Sequence, residues 1–270
     1  MIHLSRRPAK GCCVLEICII IPTYNERDNI VELIYQILAL PVRANIIVVD
    51  DHSPDGTGEI VDKLARQIPA VSVIHRAGKL GLGSAYIAGF KQGLSTGADR
   101  LITMDADFSH DPAYIPELVL LADDYQIMIG SRYVRNGGVQ NWDWRRRSLS
   151  WGANAFARTA LGLRAKDCTA GFRCYHRDVL LSIGLDRIFS NGYSFLVEMI
   201  FKCQQSGFSI GEIPILFTNR ARGKSKISQR EIYKAMYTVI RLSLGRLSSK
   251  SRLQVSTPPS PSNKQTSQIN

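Results

Sequence analysis

The amino-acid sequence predicts an α/β fold, a mostly parallel sheet flanked by helices. Three observations carry that prediction. Apolar runs of strand length alternate with stretches of helical periodicity from residue 14 to about residue 130, and alternation at this spacing builds βαβ units. Polar and acidic residues gather just past the apolar runs, where ligands sit in such sheets. The 270 residues, 45% of them hydrophobic, suffice for one large core.

The elements follow in order. Val14 to Ile21 reads as the first strand. Arg6, Arg7 and Lys10 ahead of it have a leader-peptide flavour, but Glu16 interrupts the apolar stretch and Pro22-Thr23-Tyr24-Asn25 follows with no small-residue cleavage site. A helix is expected from about Asp28 to Leu40, where Ile30, Leu33, Ile34, Ile37 and Leu38 recur at helical spacing. Asn45 to Val49 is the second strand and ends in Asp50-Asp51; Asp55-Gly56-Thr57 then turns into a helix reaching about Gln67. Val71 to Ile74 is the third strand, Gly81 to Leu94 a helix, Leu101 to Met104 the fourth strand, Pro112 to Ala122 a helix, and Ile127 to Ile129 the fifth strand. Gly81-x-Gly83 lacks the third glycine of a dinucleotide fingerprint and does not follow the first strand, so it reads as a helix start close to the sheet.

Beyond residue 130 the pattern loosens. Residues 131–175 are rich in Gly, Arg and Trp and irregular, apart from a helix near Leu149 to Leu161. Ser194 to Gln205 reads as a helix, Ile210 to Phe217 as an edge strand because it contains Pro214, and Ser228 to Leu247 as a last helix. Residues 248–270 almost lack apolar side chains and are expected to be disordered. The expectation is one domain over 14–247 between tails at 1–13 and 248–270, with no internal repeat.

Composition narrows the function. No apolar run approaches the roughly 18–20 residues that cross a bilayer. The six cysteines, Cys12, Cys13, Cys18, Cys168, Cys174 and Cys203, form no Cys-x-x-Cys pair, so free core thiols are expected and zinc is improbable. The net charge of +11 is uneven. Residues 11–126 hold 8 Lys/Arg against 16 Asp/Glu, a net of −8; residues 127–175 hold 9 against 2, a net of +7; residues 216–252 hold 10 against 1, a net of +9. An acidic half followed by basic stretches suggests a cation site in one and an anionic partner for the other. No nucleic-acid motif accompanies the basic charge.

Met104-Asp105-Ala106-Asp107-Phe108-Ser109-His110 is the most informative segment. An extended backbone points residues i and i+2 the same way, so Asp105 and Asp107 would aim at one spot. Two hard oxygen donors suit Mg²⁺ or Mn²⁺, with phosphate and water completing the shell. The plainer reading makes Asp107 and Asp111 turn and cap residues ahead of Pro112.

With these residues in view, the chain resembles the inverting family 2 glycosyltransferases of the GT-A fold, a Rossmann-like, mostly parallel sheet. Among them it is similar to the enzymes that load mannose from GDP-mannose onto dolichol or polyprenyl phosphate. The matching segments are Ile21-Pro22-Thr23-Tyr24-Asn25-Glu26, Val48 through Thr57, Met104 through Pro112, Gly130-Ser131-Arg132-Tyr133, Trp142 through Arg147 with Ser150, Asp167 through Arg173, Gly192 through Phe195 with Glu198, and Arg220 through Lys226. The resemblance covers about residues 15–245. It implies a nucleotide-sugar and metal half over 14–130 and an acceptor half over 131–247.

The resemblance also implies roles. Pro22, Tyr24, Glu26, Asp50 and Asp51 would bind the nucleotide, with Ala106 packed beside it. Asp105 and Asp107 would hold the metal; some members carry Gln where this chain has Ser109, so a third ligand stays open. Arg132, Arg146 and Ser150 would grip phosphate, and Arg220 and Lys226 would lie on a loop closing over the donor. Asp107, Arg132 and Arg146 would be the catalytic set. A phosphate monoester, its second pKa about 6, is already ionised at pH 7 and needs little general-base help; Asp107 and Glu198 are the groups to test for such a role. The partners implied are GDP-mannose, the lipid phosphate and a membrane surface, at the cytoplasmic face. The surface would be reached by a basic amphipathic last helix, with Ile232, Met236, Val239, Ile240, Leu244 and Leu247 on one face, or through a small membrane-anchoring subunit; the plainer reading packs that helix on its own domain with a solvated outer face. Rival readings are a transferase using UDP-glucose or another sugar nucleotide, and a non-catalytic basic protein binding membranes or nucleic acid.

Overall fold

A computed structural model of the chain describes residues 15–219 and 233–244. A seven-stranded sheet runs through it in the order β3-β2-β1-β4-β7-β5-β8, with β1 Ile17–Thr23, β2 Ala44–Asp50, β3 Val71–His75, β4 Arg100–Thr103, β5 Ile127–Ser131, β7 Arg173–His176 and β8 Ile210–Pro214. A two-stranded ribbon pairs β6 Gly138–Gln140 with β9 Leu216–Thr218. Pairing is parallel except at β7, which runs antiparallel to both β4 and β5. The expected α/β class, mostly parallel with flanking helices, is what the chain adopts.

Strand β1 shows why the core forms on both faces. Its side chains alternate: Cys18 and Ile20 join one apolar cluster, Ile17, Ile19 and Ile21 the other. A strand covered on both sides needs an unbroken apolar run, and Ile-Cys-Ile-Ile-Ile supplies it. Each fully buried isoleucine contributes roughly 1.5–3 kcal/mol.

Helices α1 Arg27–Leu38, α2 Thr57–Gln67 and α4 Ile115–Leu121 cover one face. Helices α3 Leu82–Ser95, α5 Trp144–Leu161, α6 Arg177–Ser182 and α7 Tyr193–Gln205 cover the other. Helix α3 lies very close to the sheet: a Cβ at Gly89 would stand 2.3 Å from Ile20 Cγ2. Any side chain at Gly89 would push α3 off β1.

Several boundaries differ from the sequence reading. Helix α5 starts at Trp144, not near Leu149, because the Asp143 carboxylate accepts the Arg146 N–H as its cap. The run 210–217 divides: β8 ends the main sheet with Pro214 at its edge, and β9 leaves to pair with β6. Strands β6 and β7 and helix α6 are too short to show a period. Met104 falls outside β4.

The described part of the last helix, 233–244, packs through Thr238, Val239 and Leu242 and exposes Tyr233, Met236, Tyr237, Ile240 and Leu244. Val239 is therefore buried while Met236 and Ile240, expected on the same face, remain exposed. The helix carries apolar residues around most of its girth, so burying one stripe leaves another uncovered. Ile232 and Leu247 lie outside the described residues. No described helix is long and apolar enough to cross a membrane. Cys18, Cys168, Cys174 and Cys203 are free and buried, and burial pushes each thiol up to about 12.

Candidate functional site

The carboxyl ends of β1, β2 and β4 form one rim. Each is followed by a non-glycine residue in the left-handed region: Asn25 at φ 59°, His52 at φ 57° and Phe108 at φ 59°. Such conformations persist only where surrounding contacts impose them. At β1 and β2 those contacts come from the Asp50–Thr57 segment. Asp50 accepts Thr23 Oγ1 at 2.9 Å and the Ser53 N–H at 2.9 Å. Ser53 Oγ accepts the Asn25 N–H, Thr57 Oγ1 the Glu26 N–H, and Asp55 the Arg27 N–H. The loop carrying Tyr24 and Glu26 is thereby fixed before any ligand arrives. Lys79 Nζ stands 4.1 Å over the Tyr24 ring, and Glu26 accepts Asn29 Nδ2.

Asp51 serves a neighbouring loop. Its carboxylate takes Arg76 Nη1 at 2.6 Å and the N–H groups of Leu80 and Gly81. Burial raises the Asp51 carboxyl, and Arg76 works against that rise. These bonds fix the start of α3.

Asp105 and Asp107 sit in a bent loop beyond β4, so the extended-backbone argument for their convergence does not apply. Other bonds arrange them. The Asp105 N–H donates to His110 Nδ1 at 3.1 Å, and Tyr86 Oη donates to Asp105 Oδ1 at 3.3 Å. Asp107 Oδ1 accepts the Ser109 N–H at 3.1 Å. Ala106 is buried between them. Burial pushes the His110 imidazole below its ordinary value despite the pull of Asp105 and Asp107. Asp111, by contrast, is a plain cap, accepting the Ala113 N–H ahead of Pro112.

The basic residues meet this loop from β5, α5 and the segment before β7. Arg132 is clamped by Asp167, with Nε at 2.7 Å and Nη2 at 2.8 Å, and Nη2 also reaches Thr169 Oγ1 at 2.7 Å. Burial alone would raise the Asp167 carboxyl, but Arg132 outweighs it and the net shift is downward. Arg146 lies 4.2 Å over the Trp142 ring and donates Nη1 to Asn219 Oδ1 at 2.8 Å. Ser150 and Tyr133 share a hydrogen bond of 2.8 Å.

A cavity of about 470 Å³ joins these groups. Asp105, Asp107, Arg132, Arg146 and Ser150 line its polar part; Leu149 and Phe156 of α5, Leu196 and Val197 of α7, and Met236 and Val239 of the last helix line the rest. Of the expected residues, Pro22, Tyr24, Glu26, Asp50 and Asp51 follow β1 and β2 on the same rim but do not line this cavity. Arg220 and Lys226 lie outside the described residues.

Among the described residues no three metal-ligating side chains gather. Two carboxylates fit a hard divalent cation when a diphosphate and water complete its shell. Sequence reasoning gave no role to His110, Tyr86, Asp167 or Thr169. His110, Asp167 and Thr169 lie inside motif segments, and that was their only signal; Tyr86 lies in none. Glu198, a candidate base, is fully buried and accepts the Ser190 N–H at 2.9 Å as well as Lys202. It holds a loop and does not line the cavity.

The glycosyl transferase family 2 model matches residues 18–184. The polyprenol monophosphomannose synthase of Mycolicibacterium smegmatis is 46% identical over 223 residues, 82% of this chain and 84% of that protein. The undecaprenyl-phosphate mannosyltransferase of Micrococcus luteus is 42% identical over 230 residues, 85% of this chain and 95% of that protein. Among solved structures, mannosyl-3-phosphoglycerate synthase from Rubrobacter xylanophilus superposes with a TM-score of 0.59 at 19% identity, covering 92% of this chain and 79% of that one. Glucosyl-3-phosphoglycerate synthase from Mycobacterium tuberculosis, in complex with Mn²⁺, UDP and phosphoglyceric acid, gives 0.58 at 22% identity, covering 86% and 78%. These two likenesses concern the fold.

Proposed function

The chain belongs to glycosyl transferase family 2 and is a glycosyltransferase, and from that premise we propose that it transfers mannose from GDP-mannose to a polyprenyl phosphate with inversion. The observation that carries this reading is the two-part cavity. Its acidic and basic part suits a diphosphate meeting a phosphate, and its apolar wall suits a hydrocarbon tail. A sugar hydroxyl acceptor would have no use for that wall.

In this reading a lipid phosphate oxygen attacks C1 of the mannose from the face opposite GDP. The C1–O bond to the β-phosphate breaks and its electron pair leaves with GDP. A divalent cation, when bound at Asp105 and Asp107, neutralises the diphosphate. The chain's own residues do the rest. Arg132, pinned by Asp167, supplies a fixed guanidinium donor at the acceptor end, and Arg146 a second guanidinium set by Trp142 and Asn219. Bringing two phosphates within about 4 Å costs several kcal/mol at intermediate dielectric unless such charges intervene. The ionised acceptor has little proton to lose, so no general base is required.

The acceptor's tail lies in lipid, and the surface beside the cavity suits a membrane interface. Trp144, Leu149, Trp151 and Phe156 of α5 are exposed, the two tryptophans at 72% and 63%. Met236, Tyr237, Ile240 and Leu244 of the last helix are exposed as well. Arg145, Arg147, Lys234 and Arg241 accompany them on the same two helices. Aromatic and basic side chains together favour the headgroup region.

The test is to incubate the purified chain with GDP-mannose, Mg²⁺ and a polyprenyl phosphate in detergent and to follow mannosyl-phospho-polyprenol by mass spectrometry. Product that is lost on chelation supports the reading. Turnover with UDP-glucose but not GDP-mannose, or transfer to water-soluble acceptors alone, overturns it.

A further inference from the structure

We propose that Tyr86 and His110 are positioning residues that hold Asp105 in its metal-binding pose, one gripping its carboxylate and the other its backbone. The inference rests on the reading of Asp105 as a metal ligand. Three atoms converge around Gly171: a Cβ there would meet Asp105 Oδ1, Tyr86 Oη and His110 Cε1, each at 3.6 Å. Tyr86 donates to Asp105 Oδ1 at 3.3 Å, and the Asp105 N–H donates to His110 Nδ1 at 3.1 Å. That second bond leaves the imidazole proton on Nε2.

Neither grip can swing away. Tyr86 is fully buried, stacked on Phe90 at 6.3 Å and on Phe195 at 6.0 Å. His110 is buried, stacked on Phe172 at 5.2 Å with the edge of Phe217 at 5.3 Å. The Asp105 side chain itself keeps 35% of its surface exposed. One oxygen is thus engaged from within while the carboxylate still faces the cavity. A bent loop cannot orient a carboxylate through strand geometry, and these two rings do it instead. Partners behind a ligating group typically govern metal affinity by about 10–100-fold.

The test measures Mn²⁺ binding to the intact chain in the presence of GDP, by the electron paramagnetic resonance signal of free Mn²⁺, beside thermal unfolding. Tyr86→Phe removes one hydroxyl and keeps the stacking. His110→Phe keeps a ring on Phe172 but removes the acceptor, and His110→Asn restores an acceptor near Nδ1. The expected result is Mn²⁺ affinity about tenfold weaker in Tyr86→Phe and His110→Phe, largely recovered in His110→Asn. Saturating Mn²⁺ should return kcat to Tyr86→Phe. Wild-type affinity in folded Tyr86→Phe overturns the proposal, and that variant decides alone if His110→Phe fails to fold. Failure of the wild-type chain to bind Mn²⁺ with GDP overturns the metal reading itself, a distinct outcome.

Discussion

Asp167 meets Arg132 at three donors: the backbone N–H at 3.0 Å, Nε at 2.7 Å and Nη2 at 2.8 Å, both side chains out of water. The Arg132 guanidinium is therefore built into the fold and does not sweep through solvent. Asp167 in turn is set by Glu212, which accepts its N–H at 2.9 Å.

Removing one partner of this pair leaves a buried charge uncompensated. Asp167→Asn is expected to lower stability by about 3 kcal/mol, read as the urea midpoint. Because the Asp167 carboxyl is held below its ordinary 3.8, its contribution is complete above that pH. It is lost only as the pH falls further, through the folded value. The acid limb of the stability curve should therefore shrink in Asp167→Asn, and an unchanged limb would refute this account of the pair.

Asp105→Asn and Asp107→Asn are expected to cut turnover by at least about 100-fold, the upper end of what losing a supporting partner costs. Both should leave the unfolding temperature nearly unchanged, since asparagine keeps the side chain's shape and an Oδ1 that can still accept the Tyr86 or Ser109 bond. Turnover assays with a metal titration, paired with thermal melts, check this.

Glu198→Gln tests for a catalytic base. The Glu198 carboxylate accepts the Phe189 and Ser190 N–H groups and Lys202, so the variant should lose stability by 1–3 kcal/mol, roughly the cost of a buried unmade bond. The shape of its pH–rate profile should match that of the wild type. Loss of a limb from the profile would mean that Glu198 moves a proton.

Trp151→Glu combined with Ile240→Glu changes two exposed residues outside the cavity lining. Flotation with vesicles containing anionic lipid should weaken by about tenfold or more, the worth of roughly one buried apolar side chain. Activity on a short, water-soluble prenyl phosphate should stay within about twofold of wild type by the same bookkeeping. If the wild-type chain alone does not float, a membrane-anchoring partner becomes the better account.

How much of this was legible in the sequence depended on local period. Strands β1, β2 and β4 and helices α1 to α3 carry strong apolar patterns, and their boundaries came within a few residues. Strand β7 has four residues, one of them the buried Arg173. Its pairing partners are far away in the chain, so nothing local marks it. Asp105 and Asp107 were legible as types, but their arrangement was not. That of Asp105 involves Tyr86 and His110, whose aromatic surroundings exist only after folding, and that of Asp107 the local Ser109 N–H. Similarly, Arg132 was legible as a basic residue of a motif segment, while its clamp by Asp167 spans 35 positions.

Strand β5 has no contact with β4 in the ladder; its neighbours are β7 and β8. During translation it must wait, exposed on both edges, until residues some forty and eighty positions later leave the ribosome. A fragment ending at residue 130 would thus end in an unpaired apolar strand prone to self-association. The parts of the chain before and after residue 130 are knitted together by that delay, and neither is a module that evolution or an engineer could lift out intact.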